Sequence, residues 1–183
     1  MFDFQSAFEK GQSYDDFLKE YADPNQLASW ISMFEQVQLS DYQKKLLGSF
    51  TRELRVLCMA GAWCGDCIRQ CPIFRRFEEA CPLLKIRYVD RDANEALAAE
   101  LKICGGSRVP QVVFMSEDGK PVGRYGDRTL SKYRQMMAGV PGAVLPEQGE
   151  DILAAVTQDW LNEIERVQYI LRLSPSMRQK HGD

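Results

Sequence analysis

The sequence predicts an α/β protein built on a central mixed β-sheet flanked by helices, with extra helices at the N and C termini. Three observations carry that prediction. Between Leu54 and Ala138 the apolar patterning runs strand, helix, strand, helix, hairpin, helix; the strand–helix–strand crossover pairs its strands in parallel and the hairpin adds an antiparallel pair. Before Leu54 and after Pro146 the apolar residues recur at helical spacing. The chain of 183 residues is long enough to bury a core without a disulfide scaffold.

From Phe4 to about Phe50 the pattern reads as three helices. Ser13 caps one that carries Asp15 and Asp16 in its first turn and Phe17, Leu18 and Tyr21 on its apolar face. Asp23-Pro24 is an N-cap followed by proline at the first helical position, ahead of Leu27, Trp30, Ile31 and Phe34. Ser40-Asp41 opens the third, which stops near Gly48. Leu54–Ala60 is an apolar run of strand length, followed by a glycine and a helical stretch to Ala80. Leu84–Asp90 is a second strand, and residues 93–102 form a helix ended by Gly105-Gly106-Ser107. Residues 111–115 and 121–125 flank the tight turn Glu117-Asp118-Gly119-Lys120 and make a hairpin. Residues 129–138 are helical, 139–146 a loop, about 147–173 a long amphipathic helix, and the chain from 174 onward a frayed tail.

Twenty-six acidic residues against twenty-three basic ones give a net charge of −3, and no run of Lys and Arg marks a nucleic-acid face, so no nucleic-acid partner is expected. The start Met1-Phe2-Asp3-Phe4-Gln5 lacks the basic and then apolar pattern of a signal peptide. No stretch approaches the ~18 unbroken apolar residues of a membrane span. The expected setting is cytoplasmic, with no membrane partner. Thiols there are kept reduced, so the cysteines, six in all, read as metal ligands or redox catalysts before they read as structural bridges.

Trp63-Cys64-Gly65-Asp66-Cys67 lies where an apolar strand ends and a helix begins. Cysteines at i and i+3 in a first helical turn are within reach of a disulfide. Cys64 falls at the helix N-terminus, where free N–H groups and the helix dipole favour a thiolate. Cys67, a turn inside, should be more buried and less reactive. That division suits a dithiol catalyst, with one exposed attacking sulfur and one protected resolving sulfur. Two other readings stay open: a metal site, which would add Cys71, Cys58, Cys81 or Cys104 to the pair, and a buried pair with no catalytic use. The sole histidine, His181, sits in the tail and is a poor source of a catalytic imidazole, which argues against Cys-His and Ser-His-Asp hydrolases. Gly105-Gly106-Ser107 lacks the ending of a phosphate loop and precedes a strand.

The WCGDC run, Pro72 five residues beyond its second cysteine, and Val109-Pro110 before a strand together resemble the thioredoxin family. More narrowly, Gly11-Gln12-Ser13-Tyr14, Val89-Asp90-Arg91-Asp92, Gly105 to Pro110 and Gly126-Asp127-Arg128 are similar to a bacterial thioredoxin-like group with a helical N-terminal extension. The resemblance implies a thioredoxin-like fold in residues 51–140, an N-terminal extension over 1–50, and a C-terminal helix and tail over 141–183 packing on the same domain. It implies a cis peptide bond before Pro110, a Val109 backbone offered to substrate in β-like pairing, Gly126 on the same face, and Trp63 beside the attacking thiol. Gly65 completes the expected substrate-contacting set, and the cis-proline helps keep metals off the dithiol. Pro72, inside the helix, should kink it.

Two departures stand out. Asp66 occupies the position where ordinary thioredoxins carry proline, and its carboxylate opposes thiolate formation while suiting a helix N-terminus. Cys58 stands six residues before Cys64, where thioredoxins carry a buried acid, so the usual proton acceptor for the resolving thiol is missing and Asp66 or a water is expected to replace it. Cys71 lies one helical turn beyond Cys67 and Cys58 on the preceding strand, near enough for a thiol relay or alternative disulfide if they are not simply small core residues. Among the arginines of this helix, Arg69 is close enough to bias substrate charge.

The function expected is thiol–disulfide exchange by Cys64 and Cys67, with a disulfide-containing protein or small thiol as substrate. A thioredoxin reductase or thiol pool serves as electron donor, and no cofactor or metal is expected beyond the disulfide itself. The rival is a redox-sensing or redox-inactive binding module whose helical additions present the cis-proline groove to a partner.

Overall fold

The computed structural model describes residues 2–146, 149 and 151–183. Its centre is a four-stranded sheet in the order β2-β1-β3-β4, made of β1 (Leu54–Ala60), β2 (Leu84–Asp90), β3 (Gln111–Ser116) and β4 (Pro121–Gly126). β1 and β2 run parallel, with Leu54 opposite Leu84; β1 and β3 are antiparallel, as are β3 and β4. The mixed sheet is the one the sequence predicts. β1 lies between two partners with both faces covered, which is why it reads as a nearly unbroken apolar run rather than an alternation. β4 forms one edge, where Pro121 at its first position is tolerated.

Four helices precede the sheet: α1 (Phe4–Lys10), α2 (Tyr14–Tyr21), α3 (Pro24–Gln36) and α4 (Asp41–Gly48). Three are those read from the sequence, and capping boxes at Asp23 and Ser40 fix the starts of α3 and α4. α1 is an addition to that reading. Asp3 caps it through the Ser6 N–H at 2.9 Å, and Phe4 and Phe8, one turn apart, bury against β1 and β2. Seven residues hold too few repeats for spacing to register. Between α1 and α2, Gln12 exchanges two 2.8 Å backbone hydrogen bonds with Tyr88 and so closes the outer edge of β2.

α5 (Gly65–Ala80) leaves the end of β1, continues through Pro72, and packs on β2 beneath α3, α4 and α8 (Ile152–Leu173). α6 (Glu95–Glu100) and α7 (Leu130–Met137) fall within the predicted stretches. α8 begins at Ile152 with Asp151 as its cap; Glu147, Gln148 and Glu150, part of the predicted start, lie outside the described residues. The expected frayed tail is instead a short helix, α9 (Pro175–His181). Ser174-Pro175 starts it, Met177 is buried, and Lys180 and Asp183 pair with Glu117, Asp118 and Arg52. One apolar anchor and a few ion pairs dock a segment whose composition alone reads as loose. Among the described residues no helix is long and apolar enough to cross a membrane.

Candidate active site

The turn from β1 into α5 carries the cysteine pair. Cys64 is the N-cap of α5, extended at φ −83 and ψ 121, Gly65 is the exposed first residue of the helix, and Cys67 lies in its first turn. Cys64 is half-buried and Cys67 fully buried, the asymmetry expected from their positions. All six cysteines are free thiols. The Gly61 N–H points at Cys67 Sγ at 3.5 Å, and the Cys64 thiol faces the Val109 carbonyl at 3.6 Å.

These contacts divide acidity differently from exposure. The Cys64 thiol is pushed up by its hydrogen bond to Cys67 and by burial. Burial acts most strongly on Cys67 as well, opposing its charge, but the thiols of Cys64 and Cys71 and the Gly61 N–H converge on that sulfur and together lower it. The sequence expectation places the favoured thiolate on Cys64; the contacts act in the other direction, disfavouring charge on Cys64 and favouring it on Cys67. The two sulfurs thus share a proton that Cys64 must give up before it attacks.

The remaining residues singled out from sequence gather around this turn. The peptide bond between Val109 and Pro110 is cis, and Val109 is buried, its N–H without a partner among the described residues. Gly126 ends β4 at φ 142, and a Cβ there would stand 2.4 Å from the Pro110 carbonyl oxygen, so glycine alone lets β4 close against the proline loop. Trp63 is 46% exposed and flanks the motif. Its ring lies over Gly61, where a Cβ would come within 2.7 Å of it, and the Arg91 guanidinium stacks on its face at 4.4 Å.

Asp66 pairs with Arg128 at 2.6 Å. That ion pair opens a network the sequence reading does not contain. Arg128 and Arg108 both reach Asp127 Oδ2, at 3.4 and 3.3 Å, and the Tyr133 hydroxyl donates to Asp127 Oδ1. Burial works most strongly against the Asp127 charge, yet Tyr133, the residue's own N–H and the two guanidinium groups outweigh it and hold the carboxyl below its usual range. Gln70 donates to the Asp127 carbonyl at 2.9 Å and accepts at 2.9 Å from the indole of Trp160 on α8. On the other flank the buried Trp30 of α3 donates to the Ala62 carbonyl at 2.9 Å. The signal for Asp127, Arg128 and Arg108 was their adjacency to Gly126 and Pro110 within quoted motifs.

The resulting arrangement is a reachable sulfur above a buried one, bordered by an exposed indole, a free backbone N–H and two arginines tied to carboxylates. Such a site can form and resolve a disulfide. Among the described residues no group of three or more His, Cys, Asp or Glu side chains could hold a metal ion, and His181 engages Glu117 on its own helix's side of the fold.

A family model described as Thioredoxin matches residues 11–139. Among solved structures, a protein of unknown function from Pseudomonas aeruginosa is similar over 94% of this chain and 98% of its own, at 18% identity and a TM-score of 0.67. An HIV epitope-scaffold is similar over 94% and 99%, at 16% identity and a TM-score of 0.65. A thioredoxin from Fasciola hepatica is 28% identical over 52% of this chain and 88% of its own, with a TM-score of 0.37. Among curated proteins no match is found.

Proposed function

The chain belongs to the thioredoxin family, and on that premise we propose that it is a thiol–disulfide oxidoreductase working through Cys64 and Cys67. The observation that carries this reading is the half-exposed Cys64 at the N-cap of α5 directly over the fully buried Cys67, beneath the cis-Pro110 loop. As a substrate disulfide approaches, Cys64 passes its proton toward Cys67 and attacks one substrate sulfur. The substrate S–S bond breaks, its other sulfur leaves as a thiolate and takes up a proton, and Cys64 is left in a mixed disulfide. Cys67 then loses its proton and attacks Cys64 Sγ. The second substrate sulfur leaves, and the protein holds a Cys64–Cys67 disulfide, which a thioredoxin reductase or a thiol pool returns to the dithiol.

Substrate is held in β-like pairing along Val109, whose N–H is unclaimed among the described residues, against Pro110, Gly126 and Gly65, with Trp63 as an apolar wall. Asp66, on the same helical turn as Cys67, takes the resolving proton directly or through a water. Asp66 is held in place by its pairing with Arg128 at 2.6 Å. The substrate is a disulfide-bonded protein or small disulfide, and the setting cytoplasmic.

The first test equilibrates the protein with thiol buffers and counts alkylated cysteines by mass. A Cys64–Cys67 disulfide with a definite potential is expected: near roughly −270 mV for a reductase, above about −200 mV for an oxidant or isomerase. Cys64→Ser should abolish turnover of a disulfide-bonded peptide. Retention of turnover, or no Cys64–Cys67 disulfide in any buffer, overturns the reading and brings the binding-module alternative forward.

A further inference from the structure

Four cysteines, Cys64, Cys67, Cys71 and Cys58, lead from the half-buried N-cap of α5 into the core. Cys64 caps α5, Cys67 lies in its first turn, Cys71 follows one turn further along the same helix, and Cys71 Sγ lies 3.9 Å from Cys58 Sγ on β1. Cys67, Cys71 and Cys58 are each 0% exposed. Two of these sulfurs have no part in the exchange described above, and no solvent-borne disulfide reaches them.

We propose that Cys58 and Cys71 form a second, internal redox couple, charged and discharged only through Cys64–Cys67. This rests on the thiol-exchange reading and extends it to a four-electron store. Once Cys64 and Cys67 have reduced a substrate, Cys71, as its thiolate, attacks Cys67 Sγ. The Cys64–Cys67 bond breaks and Cys64 leaves, taking up the proton that Cys71 released. Cys58 then attacks Cys71 Sγ in the same way, the Cys67–Cys71 bond breaks, and Cys67 leaves with the proton from Cys58. The net change converts one disulfide and two thiols into another disulfide and two other thiols, with no outside oxidant beyond the substrate disulfide already consumed. The outer pair is then a dithiol again and reduces a second substrate disulfide.

The sulfurs of Cys58 and Cys71 must close from 3.9 Å to about 2.05 Å to bond. Rotation about the Cys71 side chain toward β1 is the movement required. Burial also pushes the Cys71 thiol up, which keeps its thiolate scarce and makes the internal step slower than the outer one.

The test uses the fully reduced whole chain, an excess of hydroxyethyl disulfide, acid quenching, alkylation under denaturing conditions and peptide mapping by mass. Two phases are expected: a fast one that joins Cys64 to Cys67, and a slow one that adds a Cys58–Cys71 disulfide and doubles the thiols lost from this set. Cys58→Ala and Cys71→Ala should each stop at the first phase, and Cys64→Ser should leave Cys58 and Cys71 fully alkylated because their only route in is cut. The wild-type map needs no variant and so does not depend on any of them folding. A Cys64–Cys67 disulfide with Cys58 and Cys71 still fully alkylated at long times overturns this inference alone. Absence of the Cys64–Cys67 disulfide overturns the reading beneath it. A Cys58–Cys71 disulfide forming as fast in Cys64→Ser as in wild type shows direct oxidation and also overturns the internal route.

Discussion

The two helical additions reach the dithiol by different routes. α3 does so in one bond, the Trp30 indole to the Ala62 carbonyl, two residues before Cys64. α8 does so through a relay, from Trp160 to Gln70 to the Asp127 carbonyl, and onward through the Asp127 carboxylate to Arg108, Arg128 and Asp66. Both tryptophans are 0% exposed, so each brace is held by a packed ring as well as by its hydrogen bond. The N-terminal brace fixes the backbone that carries the thiols. The C-terminal brace fixes the charges that face them. An addition to a small thioredoxin-family domain can therefore set the geometry of the cysteine turn or its field, and here the two tasks fall to opposite ends of the chain.

The largest expected effect removes either ring. Trp30→Ala and Trp160→Ala should each cost about 3–5 kcal/mol, read from denaturant midpoints, because each empties a large volume from a closed core. Those variants show that both braces matter, not that they differ. The comparison sharpens with Trp30→Phe and Trp160→Phe, which keep an aromatic ring and leave the Ala62 carbonyl or the Gln70 side-chain oxygen unpaired, at about 1–3 kcal/mol each. Trp30→Phe should slow alkylation of Cys64 by the neutral reagent iodoacetamide. Trp160→Phe should spare that rate and change instead the salt dependence of reaction with charged disulfides. Equal effects of both on neutral alkylation would erase the distinction.

Asp127→Asn comes next and acts only on the C-terminal route. The folded carboxyl titrates below its unfolded value, so its contribution is fully present above about pH 3.9 and is lost as pH falls through the folded value. Wild-type stability should fall below about pH 4 more steeply than that of Asp127→Asn. At pH 7 the variant should be weaker by about 1–3 kcal/mol, since Arg108, Arg128 and Tyr133 lose a charged acceptor. A midpoint that tracks pH identically in both proteins would detach the carboxylate from the network.

This contrast between regions also explains what the sequence made legible. The sheet was readable because β1, β2 and the hairpin are short apolar runs bounded by turn residues, and the motif because two cysteines at i and i+3 after a strand have few other uses. α1 and α9 were not, since each is seven residues long and is held by tertiary anchors, Phe4 and Phe8 in one case and Met177 in the other. The Trp30 brace hid for a related reason: a tryptophan on an amphipathic helix reads as core, and nothing local reveals that its N–H meets a carbonyl 32 residues away. Asp127 sat inside a quoted motif, yet its partners come from the proline loop, its own neighbour and α7, a convergence that only the folded chain displays.

The smallest effect expected is that of Asp66→Asn, and it tests where the two regions meet. Asp66 is on the helix that carries the thiols, but its partner Arg128 belongs to the C-terminal network. The carboxylate opposes negative charge on Cys67, and the guanidinium at 2.6 Å offsets part of that opposition. Replacing it with an amide should stabilise the thiolate of the reduced pair by about half a pKa unit to one unit. A more stable thiolate favours the dithiol over the disulfide, so the Cys64–Cys67 potential should become less negative by about 15–30 mV. The resolving step should move the opposite way. If Asp66 receives the Cys67 proton, loss of the carboxylate slows that step at neutral pH and restores it as hydroxide takes over in alkaline buffer, whereas a purely electrostatic Asp66 gives a faster step throughout. Stopped-flow measurement of mixed-disulfide decay across pH separates the two, and an unchanged rate at every pH removes Asp66 from the chemistry while leaving its tie to Arg128 a structural one.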